Sequence, residues 1–229
     1  MDKPISVRQR RLLSTSLMVA LSSTLMACGS GGGSSGGGGS SSDGSTATPA
    51  NPLNNGPDAS APEVSKTPVD YASLADRSLQ QCITDTGIEF REQLQTLHCS
   101  HSNVASVEGL QQFKQLTVVS LNNNLISSLE PLTGMSQLYY LDISHNRVEQ
   151  LPQFQVKASL STLIIDNNQL QSVAALNTLP ALTRLYIDNN EIRDLSPVTE
   201  LTSVRHLSTF NNPAPLPSTL PSGLLSYRI

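Results

Sequence analysis

The chain is short of positive charge, of long apolar runs and of the side-chain clusters that catalysis needs. It has 14 Lys and Arg against 18 Asp and Glu, a net charge of −4. Residues 1–27 hold four of the bases, Lys3, Arg8, Arg10 and Arg11, and one acid, so the remainder carries 10 bases against 17 acids, about −7. Nucleic-acid binding needs clustered Lys and Arg to displace counterions from phosphates, and no such cluster is present, which excludes that class. The apolar stretch from Leu12 to Ala27 is broken by Ser and Thr. It falls short of the roughly 20 mainly apolar residues that span a hydrocarbon core. Two glycine patterns, Gly31 to Gly36 (G-x-G-x-x-G) and Gly33 to Gly37 (G-x-S-x-G), lie in a Gly/Ser tract with no strand before it. Each works only on a strand-turn-helix that aims backbone N–H groups or a strained serine, so neither indicates a nucleotide or hydrolase site. No nucleophile–base pair, metal set or phosphate loop is found; the expectation is a protein that is not an enzyme and needs no cofactor.

Cysteine is scarce too, with three in the chain. The first stands at the end of a basic, then apolar, leader in the run Leu25-Met26-Ala27-Cys28. That pattern resembles the lipobox of bacterial lipoproteins. The resemblance implies diacylation of the Cys28 thiol, cleavage before it and acylation of the new amine. The other outcome is ordinary cleavage after Ala27, leaving Cys28 a free thiol. Gly29, where such lipoproteins retained at the inner membrane carry Asp, implies an outer-membrane address. Several acyl chains on one residue give lasting attachment, where one gives only marginal binding. The expected organisation is a signal peptide over 1–27, then a lipidated Cys and a disordered Gly/Ser/Pro-rich tether over 28–69. A flexible coil of some 40 residues has an end-to-end distance on the order of 35 Å.

From Leu94 onward the sequence follows an unbroken 22-residue period, with units starting at Leu94, Leu116, Leu138, Leu160, Leu182 and Val204. Positions 1, 4 and 11 are apolar in every unit, and position 6 in all but the last. Positions 3 to 7 alternate, as in Tyr140-Leu141-Asp142-Ile143-Ser144, which is the signature of a half-buried strand. Evenly spaced units place these strands side by side and parallel, with positions 4 and 6 inward and positions 3, 5 and 7 on an open face. Position 9 is Asn in five units (Asn124, Asn146, Asn168, Asn190, Asn212), an amide able to satisfy backbone groups where the chain leaves the strand. Apolar residues three apart at positions 11, 14, 17 and 20, with Pro131 and Pro197 at position 16, favour 3₁₀ or tight-turn structure on the return side.

These units, in particular Leu129-Glu130-Pro131-Leu132 and Asp194-Leu195-Ser196-Pro197-Val198, resemble the 22-residue internalin-type class of bacterial leucine-rich repeat over about 130 residues. The implied fold is an α/β solenoid of six repeats, with a parallel sheet on the concave face and 3₁₀ turns behind it. Ser102 at the Asn position, Lys157 at an apolar position and Thr209, Pro213, Pro215 and Pro217 in the last unit are departures. The repeat domain is placed at 94–229 with a degenerate C-terminal cap. A solenoid must be covered at its ends. Tyr71, Leu74, Ala75, Leu79, Cys82 and Ile83 share one helical face, which predicts a cap over 70–93 whose helix runs over 70–86, with Asp70 as N-cap and Gly87 as stop. Cys82 on that face and Cys99 at inward position 6 of the first repeat are either a disulfide of an oxidising compartment or two buried thiols.

A site must be sought on the open face. His98, Cys99 and His101 do not make a metal site, because Cys99 points inward, His98 outward and His101 lies beyond the strand. Position 3 reads Thr96, Val118, Tyr140, Thr162, Arg184, His206; position 5 reads His98, Ser120, Asp142, Ile164, Tyr186, Ser208; position 7 reads Ser100, Asn122, Ser144, Asp166, Asp188, Phe210. Asp166 and Asp188 stand on adjacent strands, with backbones about 4.8 Å apart. They are either two solvated acids or a contact for a cationic group; catalysis by the pair would need an enclosed pocket. Tyr and Arg are favoured interface anchors, so Tyr140, Asp142, Asp166, Arg184, Tyr186, Asp188 and Phe210 form the candidate ligand-binding surface. Scattered exposed aromatics can also mean nothing. Six strands give a face of roughly 500 Å² in projection. That is below the roughly 800 Å² per partner of a standard interface, so rims must contribute or the ligand is small. The expectation is a monomeric, membrane-anchored module binding a protein or peptide at the bacterial cell envelope. The alternative is an envelope-structural lipoprotein that contacts peptidoglycan.

Overall fold

Seven strands form one sheet in chain order, every pair parallel: β1 Thr96–His98, β2 Val118–Ser120, β3 Tyr140–Asp142, β4 Thr162–Ile164, β5 Arg184–Tyr186, β6 His206–Ser208 and β7 Ser226–Arg228. The computed structural model describes residues 66–155, 159–215 and 217–228, all within a unit spanning 59–229. The leader, Cys28, most of the tether and Lys157 lie outside the described residues. The register pairs like positions, Thr96 with Val118, Tyr140 with Thr162, Arg184 with His206, so each side chain stacks on its counterpart in the next unit.

Inward positions 4 and 6 are buried from Leu97 and Cys99 through Leu185 and Ile187 to Leu207 and Thr209. The apolar residues at positions 11, 14 and 17, such as Ile126, Leu129 and Leu132, close the core from behind. Each such side chain contributes about 1.5–3 kcal/mol on leaving water. The return side carries 3₁₀ turns at Leu110–Gln112, Glu130–Leu132, Ala174–Thr178 and Ser196–Glu200, with Pro131 and Pro197 in their first turns. Pro lacks an N–H and fixes φ, and the start of a turn is where neither matters.

The buried Asn column ties the units together. Asn168 Nδ2 donates to Ile143 O of the preceding unit and to Ile165 O and Asp166 O of its own, while its Oδ1 accepts from Val148 N. Asn124, Asn146, Asn190 and Asn212 repeat this pattern. A second column escapes the apolar periodicity. Position 8 holds His101, Asn123, His145, Asn167, Asn189 and Asn211, each left-handed with φ of 53 to 57°. Asn and His accept that conformation more readily than branched residues, and here it turns the chain out of the strand.

Three expectations need correction. The cap is not one helix over 70–86: Asp70 caps a 3₁₀ turn at Tyr71–Ser73, and the helix, α1, runs Arg77–Asp85 with Asp76 as its N-cap. Asp76 Oδ1 accepts from Leu79 N while its Oδ2 accepts from Ala105 N and Ser106 N, so the carboxylate starts the helix and fixes it to the first repeat. Residues 66–69, assigned to the tether by composition, pair with 88–92 instead. Pro68 bridges Phe90 antiparallel, and Val69 N and Arg91 N donate across to Glu89 O and Thr67 O. The last unit is not merely a degenerate cap: its proline-rich return is shortened and leads into β7, which registers Ser226 on His206. Cys82 and Cys99 are joined as a disulfide between α1 and the first repeat. No helix among the described residues is long and apolar enough to cross a membrane.

Candidate binding surface

The open face runs over all seven strands, and the candidate residues lie on it from β3 to the end of β6. On β3, β4 and β5 the register lays out two rows, Tyr140–Thr162–Arg184 and Asp142–Ile164–Tyr186, with Ser144, Asp166 and Asp188 following at the strand ends. Ile164 is half-exposed at the centre of this grid; Thr162 beside it is buried under its neighbours. Tyr140 and Tyr186 are half-buried, Arg184 exposed, and Phe210 exposed further along. The seven candidate residues therefore share one face, but not one environment.

The carboxylates differ most from expectation. Asp166 and Asp188 are not two equivalent solvated acids. Asp188 is only 6% exposed; its Oδ1 accepts from Ser208 Oγ (2.6 Å) and Phe210 N (2.7 Å), and its Oδ2 lies 3.4 Å from the Arg228 guanidinium. Asp142 is also buried, holding Ser144 N and Oγ through one oxygen and Asn122 Nδ2 through the other. Both acids therefore have a hydrogen-bond or ion-pair partner at each oxygen, as buried charges require. Asp166 uses only Oδ1, on Asp188 N at 2.7 Å. Its Oδ2 has no partner among the described residues. Burial pushes its pKa up to about 6, against the lowering effect of the Asp188 N–H; the charges of Asp188 and Asp142 add to the rise, and Arg228 opposes it. The Tyr140 phenol is pushed up by burial and then by Asp142 and Tyr186.

Arg228 is the residue of this face that repeat counting misses. Its guanidinium sits 4.9 Å from the centroid of the Phe210 ring as well as beside Asp188, a cation held between an aromatic face and a carboxylate. The signal in the sequence is slight: Leu224 and Tyr227 are spaced as positions 1 and 4 of a unit are, but both come two places earlier than the period requires. With β7 the face reaches roughly 570 Å² in projection, still short of a standard interface.

Elsewhere the surface offers less. His98 and His101 are exposed and Cys99 is committed to the disulfide; among the described residues no three His, Cys, Asp or Glu are placed to hold a metal. An open depression of about 470 Å³ beside the cap is lined by Ser78, Gln81, Cys82, Asp85, Thr86, His98 and Ser102. Its lining residues are mostly polar and it is open to solvent, whereas small-molecule sites are enclosed and lined predominantly by hydrophobic and aromatic side chains.

The sequence over 92–134, 114–155 and 158–200 matches the family model for leucine-rich repeats. The solved structure of internalin InlF from Listeria monocytogenes superposes with a TM-score of 0.60 at 21% identity, over 65% of this chain and 47% of InlF. The chain thus spans about half the length of InlF. Internalin C2 of the same species shares 22% identity over 71% of this chain and 96% of its own, with a TM-score of 0.37. A leucine-rich repeat protein of Leptospira interrogans shares 26% over 49% of this chain and 30% of its own, with a TM-score of 0.47. No curated protein matches the sequence. The fold is a leucine-rich repeat solenoid, and a fold by itself does not assign a function.

Proposed function

We propose that this protein is a lipid-anchored module of the bacterial outer membrane that binds a protein or peptide on its open sheet face, with Cys28 as the lipidated residue. The observation that carries the binding half is the grid on β3 to β5, where two half-buried tyrosines flank an apolar floor beside three carboxylates. Tyr buries large area at low entropic cost and keeps a polar tip, and fixed charge nearby gives orientation and association rate. The anchoring half is supported by the basic-apolar leader, the Leu25-Met26-Ala27-Cys28 run and the Gly/Ser tract after it.

Proximity labelling from the full-length protein in its native cell, run beside Tyr186→Ala and Asp166→Asn, tests the binding half. Envelope proteins labelled by wild type and lost in both variants support it. Labelling that ignores the variants, or co-sedimentation with isolated peptidoglycan instead of with proteins, overturns it. For the anchor, mass spectrometry of the mature N-terminus should show acylated Cys28, and Cys28→Ser should abolish processing at that site. An unmodified mature N-terminus refutes lipidation.

A further inference from the structure

The face already holds one cation, and it belongs to the chain itself. Arg228, carried in by β7, stacks on Phe210 and meets Asp188, which leaves Asp188 neutralised and Asp142 closed off by Asn122 and Ser144. Asp166 is the carboxylate left with an oxygen to give. It follows Ile164 by two residues on the strand that runs between those of the half-buried Tyr140 and Tyr186, so the same pair of chemistries, aromatic side chain and free carboxylate, recurs on β3 to β5 without a basic side chain of this chain paired to it. Arg184 does not fill that role: it is exposed and forms no ion pair among the described residues.

We propose that the floor at Ile164 is the seat for one Arg or Lys side chain of the protein partner, with Asp166 Oδ2 taking its charge and Tyr140 and Tyr186 flanking its methylene stem. This rests on the binding function above and specifies what that partner presents: an exposed basic residue beside apolar groups. A neutral polar group would leave Asp166 unpaired at its desolvation cost, whereas a cation relieves it, and that difference is the source of selectivity.

The seat is also acid-sensitive. The charged groups acting on Asp166 are Asp188 at the end of β5, Asp142 on β3 and Arg228 on β7, and the turn after β3 brings in His145, whose backbone N donates to Asp166 O. With Asp166 titrating near 6, its charged fraction falls about tenfold between pH 7.5 and pH 5. The basic side chain should be released as the pH falls.

The test is an NMR titration of the intact folded protein with a capped Ala-Leu-Arg-Leu-Ala peptide and its citrulline counterpart, which has the same shape and no charge. The Asp188 amide is the reporter, because it donates directly to Asp166 Oδ1. Expected are shifts of the Ile164 and Asp188 amides with the Arg peptide, about tenfold weaker binding of citrulline, and about tenfold weaker binding of Arg at pH 5 than at pH 7.5. Asp166→Asn should remove both the preference and the pH dependence, which separates Asp166 from His145. Equal binding of the two peptides, absence of binding, or shifts confined to Phe210 and β7 overturns the seat. A negative peptide titration alongside variant-sensitive proximity labelling would place protein binding elsewhere on the face, so the two proposals fail separately.

Discussion

If Asp166 is kept charged in a place that resists it, removing the charge should make the protein more stable. Raising a carboxyl from 3.8 to about 6 costs the charged form on the order of 3 kcal/mol, at about 1.4 kcal/mol for each tenfold change in acidity. Because the carboxyl retains contact with water, screening reduces this to roughly 1–2 kcal/mol. Asp166→Asn preserves the Oδ1 acceptor for Asp188 N and changes little in volume. The folded-state pKa lies above the unfolded one, so the penalty is fully present above about pH 6, fades as the pH drops and is gone below about 4. Urea unfolding followed by circular dichroism from pH 4 to 8 should therefore show the variant more stable by roughly 1–2 kcal/mol at pH 7.5, or about 3–6 °C in melting temperature, converging with wild type at pH 4. Equal stability at pH 7.5, or an advantage that persists into acid, refutes the account.

The Asn column sets a second scale: Asn168→Ala strands Val148 N, while Ile143 O keeps Asn146 Nδ2 and Ile165 O keeps Asn190 Nδ2, and should cost about 1–3 kcal/mol in urea unfolding, with Asn212→Ala, at the half-exposed end, costing about half. Reducing the Cys82–Cys99 bond, which closes a 17-residue separation, should cost about 3 kcal/mol in the chain-entropy view; hydrogen exchange should show α1 and β1 loosening first, and uniform loosening would contradict this. Asn167→Val forces a branched side chain to φ 55° and should cost roughly 1–2 kcal/mol, while Asn167→Gly should be near neutral in the same assay.

The repeat architecture is legible because a 22-residue period fixes which side chains are inward, and burial at positions 4, 6 and 11 follows it through the first five units. What the period does not contain is harder to see. The seventh strand lies off the count, since Pro213, Pro215 and Pro217 shorten the return, and with it goes Arg228. The helix start at Asp76 is hidden because Asp70, six residues earlier, is an equally good N-cap by type and does cap a turn of its own. Asp142 and Asp188 look solvent-facing by strand alternation. They are buried because Ser, Asn and backbone donors of neighbouring units close over them, a tertiary effect that a one-dimensional pattern does not carry. The left-handed column was present as Asn or His at every position 8, a polar periodicity beside the apolar one.

The asparagine column also makes the array an open-ended polymer with a direction. Each amide completes the turn of the unit before it as well as its own, so every unit arrives with the fastening for its predecessor and leaves its own rear face to be fastened by its successor. Copying an interior unit in frame would add one set of these links and break none, so the protein could lengthen by one whole repeat at a time. Such a change made between β1 and β3 would leave the Ile164 floor and its ring of neighbours intact while altering how far the cap stands from it. Reach and recognition are thus separately adjustable in one molecule, which gives lineages and engineers a way to vary the first without disturbing the second.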